Sequence, residues 1–183
     1  MSYHHSQIPA ELVPYLWNIY NNKYKSSSNV FTNISFTPPS SFHPDILELL
    51  LKAKNLMEIY GYKFRCTDDN LKDNNNKENE SDEIDWLIEF HHYKIHDYYE
   101  PEFSRHRDDK TGISSYVNTI LFYLNKDKTI QGGDLIVDDN GIDKKLEIKS
   151  GDMIIMRGDL EHEIEPMGGN GNRMSIVVQI QRD

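Results

Sequence analysis

Three short pieces of the chain carry side chains suited to metal chemistry. They are His106-Arg107-Asp108, then His162 within the run Asp159–Ile164, then Arg173-Met174-Ser175. On an extended strand, residues i and i+2 share a face. His106 and Asp108 therefore point one way, and Arg107 and Asp109 the other. His162 stands in a later segment of strand character. Two imidazoles and one carboxylate on one side of a divalent ion leave the opposite positions open, as an oxygen-activating site requires. An isolated His-x-Asp is common by chance. His4, His5, His43, His91, His92 and His96 compete, and each reads more simply as an ordinary surface or core histidine. His96-Asp97 also lacks the i, i+2 spacing.

The third piece fits an anionic co-substrate. Gly168–Gly171 reads as a hairpin turn joining the His162 strand to the Arg173 strand. In that register Pro166 opposes Arg173, and His162, Arg173 and Ser175 share a face. A slip of one residue would reverse this. Four strand residues span roughly 13 Å at ~3.3 Å each. An arginine side chain and a five-carbon dicarboxylate bridge that gap, with one end of the acid on the metal and the other in a bidentate guanidinium pair. The simpler reading of Arg173 is a surface arginine after a turn. Ser175 and the apolar run Ile176-Val177-Val178 make the strand look buried instead.

The elements that must position these groups follow from periodicity. Ile8, Leu12, Val13, Leu16, Trp17, Ile19 and Tyr20 predict a helix from about Glu11, with Pro14 in its first turn. Residues 26–44 are Ser-, Asn- and Pro-rich, with a possible strand at Asn33–Thr37. Pro44 and Asp45 open a second helix, broadly apolar from Ile46 to Tyr60 and capped by Gly61. Residues 67–83 are polar and charged throughout and predict a mobile surface loop. From Ile84 the period becomes two, continuing to Tyr99 or breaking near His92. Further strands are expected at Ser115–Leu124, Gly133–Val137, Lys145–Ile148, Met153–Met156, Glu161–Glu165 and Arg173–Gln181. Turn signals at Lys126-Asp127, Asn140-Gly141, Ser150-Gly151-Asp152 and Arg157-Gly158-Asp159 separate them. The expected fold is mainly β with α, an antiparallel sandwich or jelly-roll barrel with N-terminal helices outside. The expected organisation is a single domain: 1–66 as helical support, 67–83 as the loop and 84–183 as the core.

With 20 basic and 30 acidic residues the net charge is −10. That balance argues against gripping a phosphate backbone, so no nucleic-acid partner is expected. The single cysteine, Cys66, cannot form an internal disulfide, and no apolar run is long enough to span a membrane. The N-terminus carries no secretory signal pattern, so a cytoplasmic location is expected.

These residues resemble the Fe(II)/2-oxoglutarate-dependent dioxygenases, in particular the prolyl 4-hydroxylase-like branch, over roughly 84–182. The resemblance rests on Tyr98–Asp108 leading into His-x-Asp, Asn118–Asn125 as the next core strand, and the Gly-Gly-acid-Leu turn in Gln131–Val137. Ser150–Met156 and His162–Ile180 complete the order. It implies a double-stranded β-helix with Fe(II) held by His106, Asp108 and His162. It implies 2-oxoglutarate held by Arg173 and Tyr123, with Thr119 and Leu121 sharing the site face and Ser175 as a second carboxylate donor. Tyr98 and Tyr99 both match a tyrosine near the co-substrate. Glu102 departs from the glycine common after Tyr-x-Pro, which puts the substrate-side loop in doubt. The implied reaction hydroxylates a prolyl or other residue of a protein or peptide, forming succinate and CO2, with ascorbate as reductant. A small-molecule substrate is also open, as is the oligomeric state. The alternative is a catalytically silent cupin-like domain that binds metal and 2-oxoglutarate. A barrel using Zn or Mn for hydrolysis is a third reading.

Overall fold

The structure, a computed structural model, describes residues 2–24, 32–36, 44–62, 84–99, 105–108 and 117–182. The predicted loop at 67–83 and Cys66 lie outside them. Strand β1 (Tyr3–Gln7) precedes helix α1 (Val13–Tyr24), which places Pro14 in its first turn, where its missing N–H breaks no helical bond. Leu16, Ile19 and Tyr20 form its buried face. Strand β2 (Thr32–Phe36) and helix α2 (Pro44–Ile59) follow. Ile46, Leu49, Leu50, Ala53, Leu56 and Met57 line the buried side of α2. The helix ends where Gly61 turns left-handed, at φ 85°. There the Gly61 N–H meets Glu58 O at 3.0 Å and the Tyr62 N–H meets Met57 O at 2.9 Å, a closed C-terminal cap.

The remaining strands are β3 (Ile84–Tyr99), β4 (Val117–Lys126), β5 (Ile130–Gly132), β6 (Leu135–Asp138), β7 (Asp143–Leu146), β8 (Asp152–Arg157), β9 (His162–Ile164) and β10 (Met167–Arg182). They form a major sheet in the order β1-β8-β4-β10-β3-β2, with β5 also on β10, and a minor sheet β7-β6-β9. Every pairing is antiparallel. The two sheets form a jelly roll with both helices packed outside the major one.

Strand alternation divides the core. Ile88 and Phe90 of β3, Ile120 and Phe122 of β4, Met153 and Ile155 of β8, and Ile176 and Val178 of β10 pack with both helices. Their odd or even neighbours, Leu121, Tyr123, Ile154, Met156 and Val177, pack with the minor sheet's Leu135, Val137 and Leu146 and with Ile148 just beyond β7. Each central strand is thus apolar on both faces, which is why β4 reads as a nearly unbroken hydrophobic run.

Four sequence expectations change. The segment Gly168–Gly171 is strand, not turn: it continues β10, pairing with β3 from Tyr98 to Ile95. Its glycines serve close approach. A Cβ on Gly169 would lie 2.2 Å from Thr129 O, and one on Gly171 would lie 2.8 Å from Asp127 Cβ. Strand β3 does not break at His92. Strand β5 was not expected; its three residues offer too little pattern. Strand β1 was also not expected, because Tyr3–Gln7 has no apolar alternation; it joins the sheet by pairing with β8. The first 62 residues therefore contribute two strands as well as both helices. The Asn140-Gly141 turn joins β6 to β7 with both residues left-handed, at φ 61° and 81°, the geometry a two-residue hairpin needs.

Asp134, from the Gly-Gly-acid-Leu turn, is buried. It accepts from the Ile148 N–H at 3.0 Å and pairs with Lys126 at 2.5 Å and Lys145 at 3.4 Å. Burial pushes its carboxyl up, but these donors outweigh that and hold it below the ordinary carboxylate range. Its stabilisation is therefore complete above the unfolded value of about 3.9. It is lost as pH falls through the lower folded value. Asp134→Asn should cost about 2 kcal/mol at neutral pH, or roughly 4–8 °C of thermal midpoint. The difference from wild type should shrink as pH falls through that window, which thermal melts across acidic pH will measure.

Candidate metal and co-substrate site

Two ligand-bearing segments meet through a single β-bridge. His106 and His162 are antiparallel partners. The His106 N–H donates to His162 O at 3.0 Å, and the His162 N–H donates to His106 O at 2.9 Å. Paired residues share a face, so both imidazoles project together, and Asp108, two residues on, projects with them. One donor atom from each of the three lies within 4.8 Å of the others. The Asp108 Oδ1 sits 3.8 Å from the Nε2 of His106 and 3.8 Å from that of His162. A single ion with ligands at ~2.1 Å needs shifts on the order of 1 Å from each side chain.

Neighbours orient each donor. His162 Nδ1–H donates to Leu160 O at 2.9 Å, which leaves Nε2 as the free donor atom. Burial lowers the His162 pKa, favouring the neutral ring a metal requires; Asp108 opposes that shift. Thr119 Oγ1 donates to Asp108 Oδ2 at 2.5 Å, turning Oδ1 toward the imidazoles. Asp108 is 5% exposed at its side chain and His106 is 41% exposed, so the cluster is open on the His106 side. The set suits a first-row divalent ion with open positions.

The second part of the site lies farther along the same strand. Thr119, Leu121 and Tyr123 occupy one face of β4, and Thr119 and Tyr123 are roughly 13 Å apart by strand rise. Arg173 is fully buried, its guanidinium carbon 5.0 Å from the Tyr123 ring centre and 5.5 Å from that of Tyr93. None of its three side-chain nitrogens has a hydrogen-bond partner among the described residues, nor has the Tyr123 hydroxyl. Burial pushes the Tyr123 phenol up, against the pull of Arg173. A desolvated cation beside an unsatisfied hydroxyl fits a ligand carboxylate. Ser175 is buried next to Tyr123 in register.

The route from His162 to Arg173 differs from the expected hairpin. Strand β9 belongs to the minor sheet and β10 to the major one, and the two do not pair. Pro166 therefore does not oppose Arg173, whose partners are Tyr93 and Lys126. The two side chains meet the same interior because the sheets face each other.

Tyr98 is 63% exposed, whereas the Tyr99 ring lies 5.3 Å from that of Tyr93. Tyr93, which sequence reasoning passed over, is the β3 tyrosine against the guanidinium, beside Tyr123 of β4. Its signal was its parity: Glu89, His91 and Tyr93 line one face of β3, opposite Val177, Ser175 and Arg173. His91, read from sequence as an ordinary histidine, is buried there with its Nε2 2.9 Å from Glu89 Oε2.

A jelly roll with two histidines and a carboxylate at its open end, and a buried cation deeper in, is the architecture of a metal- and carboxylate-dependent oxygenase. Residues 89–181 match the model of the 2OG-Fe(II) oxygenase superfamily, and the chain belongs to that family. It is similar to a prolyl-4-hydroxylase of Pseudomonas putida, at 15% identity and TM-score 0.60, covering 100% of this chain and 93% of that one. It is similar to IDO from Bacillus thuringiensis, at 12% identity and TM-score 0.64, covering 100% and 92%. It also resembles a Trichoplax adhaerens prolyl hydroxylase in complex with a hypoxia inducible factor peptide fragment, at 14% identity and TM-score 0.58, covering 98% and 83%. At such identities the likeness establishes the fold. A search of curated protein sequences found no significant match.

Gly133 makes room for Met167 beside the arginine stem. Its φ is +71°, and a Cβ there would crowd Met167, at 2.8 Å from Cγ and 2.9 Å from Sδ, while meeting Arg173 Cδ at an ordinary 3.5 Å. Gly133→Ala should strain the turn by about 1 kcal/mol and push Met167 against the Arg173 chamber. The expected result is a KM for 2-oxoglutarate raised about tenfold with metal affinity unchanged, read by succinate kinetics and metal titration.

Proposed function

We propose that this oxygenase couples oxidation of 2-oxoglutarate to hydroxylation of a prolyl, or other, residue of a protein or peptide, releasing succinate and CO2. The observation that carries the reading is the fully buried Arg173, unsatisfied at all three nitrogens among the described residues, beside Tyr123 on the β4 face whose Thr119 holds one of the three converged donors.

His106, Asp108 and His162 would hold Fe(II), which supplies O2 activation and C–H oxidation when bound. Each residue's part follows from its setting. The Leu160 carbonyl fixes the His162 tautomer, and Thr119 fixes the carboxylate of Asp108. Arg173 would take the distal carboxylate of 2-oxoglutarate in a bidentate pair, with Tyr123 donating its hydroxyl to the same group. Ser175 lies close enough in register to add a donor. Leu121 and Val177, between the two ends, exclude water from the middle of the chamber. Ascorbate is the reductant we assign.

The prolyl assignment draws on the fold shared with the prolyl hydroxylases. A domain with no carboxylate ligand is disfavoured by Arg173, since a buried cation unsatisfied among the described residues costs several kcal/mol that a ligand would compensate. A silent domain that binds 2-oxoglutarate is separated by succinate formation.

Two outcomes are expected. Fe(II), ascorbate, 2-oxoglutarate and a proline-containing peptide library should yield succinate together with a product carrying one added oxygen, detected by mass spectrometry. Absence of succinate under all conditions would sink the enzymatic reading. Arg173→Met should raise the 2-oxoglutarate KM roughly hundredfold, for a charge-assisted pair worth about 3 kcal/mol. The same change should leave the ligand-free thermal midpoint equal or higher, because it removes a desolvated charge.

A further inference from the structure

The back of the ligand cluster carries a second pattern. In the register that sets His106 against His162, Arg105 stands opposite Glu163 and Arg107 opposite Glu161. The facing triplets are Arg-His-Arg and Glu-His-Glu. Strand alternation sends the two histidines to one face and the four charges to the other. The pairs form: Arg105 Nη2 lies 3.1 Å from Glu163 Oε1, and Arg107 Nη2 lies 3.2 Å from Glu161 Oε2. Arg105 also reaches Asp143 on β7 at 2.7 Å and Glu161 at 3.9 Å. One guanidinium thus ties the His106 segment to two strands of the minor sheet.

The backbone alone holds this segment lightly. Among the described residues, 105–108 meets β9 through one bridge of two hydrogen bonds. Two of the three donors ride on it. Beyond that bridge, Asp108 is held by the Thr119 hydroxyl, and a rotation of the segment about the bridge would turn the His106 ring and the Asp108 carboxylate relative to His162.

We propose that Arg105 and Arg107, with Glu161, Glu163 and Asp143, form an electrostatic clasp that positions His106 and Asp108, so that metal affinity depends on ion pairs on the far face of the strand. This rests on reading the triad as the metal site. The arginines are positioning residues and touch neither metal nor co-substrate. The alternation fixes which face the histidines take. Asp143, on a separate strand, ties Arg105 to one place along the sheet. Arg107 and Glu161 border a surface cavity of about 260 Å³.

The sign of the effect separates positioning from simple Coulomb attraction. Arg105→Glu puts negative charge near a divalent cation, and field effects alone would tighten binding. Loss of the clasp loosens it.

The test titrates apo protein with Co(II), by calorimetry and by the visible absorption of the bound ion. The variants are Arg105→Glu, Glu163→Arg and the double swap. Either single reversal should weaken Co(II) binding at least tenfold, in the range seen when groups that orient metal ligands are removed. The double swap should return affinity to within about threefold of wild type and restore the wild-type spectrum. Apo thermal midpoints should differ by only a few degrees, because exposed pairs contribute little to global stability. If a reversal fails to fold, Arg105→Gln and Glu163→Gln provide the same comparison. Affinity unchanged or tightened in Arg105→Glu overturns the clasp, as does a swap that rescues nothing. His106→Ala is the control for the underlying reading. If it binds Co(II) as wild type does, the triad is not the metal site and both proposals fall; if it loses binding while Arg105→Glu keeps it, only the clasp falls.

Discussion

A guanidinium with no hydrogen-bond partner among the described residues organises this molecule. Arg173 is buried at 0% exposure in the major sheet, between the rings of Tyr93 and Tyr123. Two cation–π contacts return about 0.5–2 kcal/mol each. They fall short of the several kcal/mol that desolvating a charge costs. Under the proposed function a carboxylate ligand would remove that deficit. Strands β3 and β4 each supply a tyrosine beside the guanidinium.

The two ends of the site are coupled by one strand. Thr119 touches Asp108, and Tyr123, four residues along the same face of β4, touches the arginine's chamber. A strand is stiff along its length and carries side chains at a fixed repeat, so under the proposed function β4 would act as a ruler for a five-carbon acid. Strand β4 is flanked by β8 and β10 and buried on both faces, which removes the freedom a loop would have. The metal end contrasts with this. Among the described residues, His106 joins β9 by one bridge, and ion pairs behind it tie Arg105 and Arg107 to Glu161, Glu163 and Asp143.

Much of this was legible in the chain. Period-two alternation marked β3, apolar runs between turn signals marked β4, β8 and the second half of β10, and periodic leucines with Gly61 marked α2 and its end. His106, Asp108, His162 and Arg173 stood out by type and spacing. Other features were not legible, for definite reasons. Gly168–Gly171 carries the composition of a turn, yet it runs as strand because β3 pairs with it on one side and β5 with Gly168 and Gly169 on the other, and composition does not reveal partners distant in the chain. Strand β1 has no apolar pattern, since its place comes from backbone pairing with β8. Tyr93 and His91 looked like ordinary strand residues until β10 lay beside them.

The sequence by itself determined the donor chemistry, the alternation that gives each strand two faces, and the charge pattern around each histidine. These are local properties, written in residue type and spacing. Only the tertiary structure decided which strands pair, that β9 and β10 part into opposing sheets, and that Arg173 meets Tyr93 and Tyr123. Partner choice depends on contacts between residues distant in the chain, and no periodicity within a single strand encodes it.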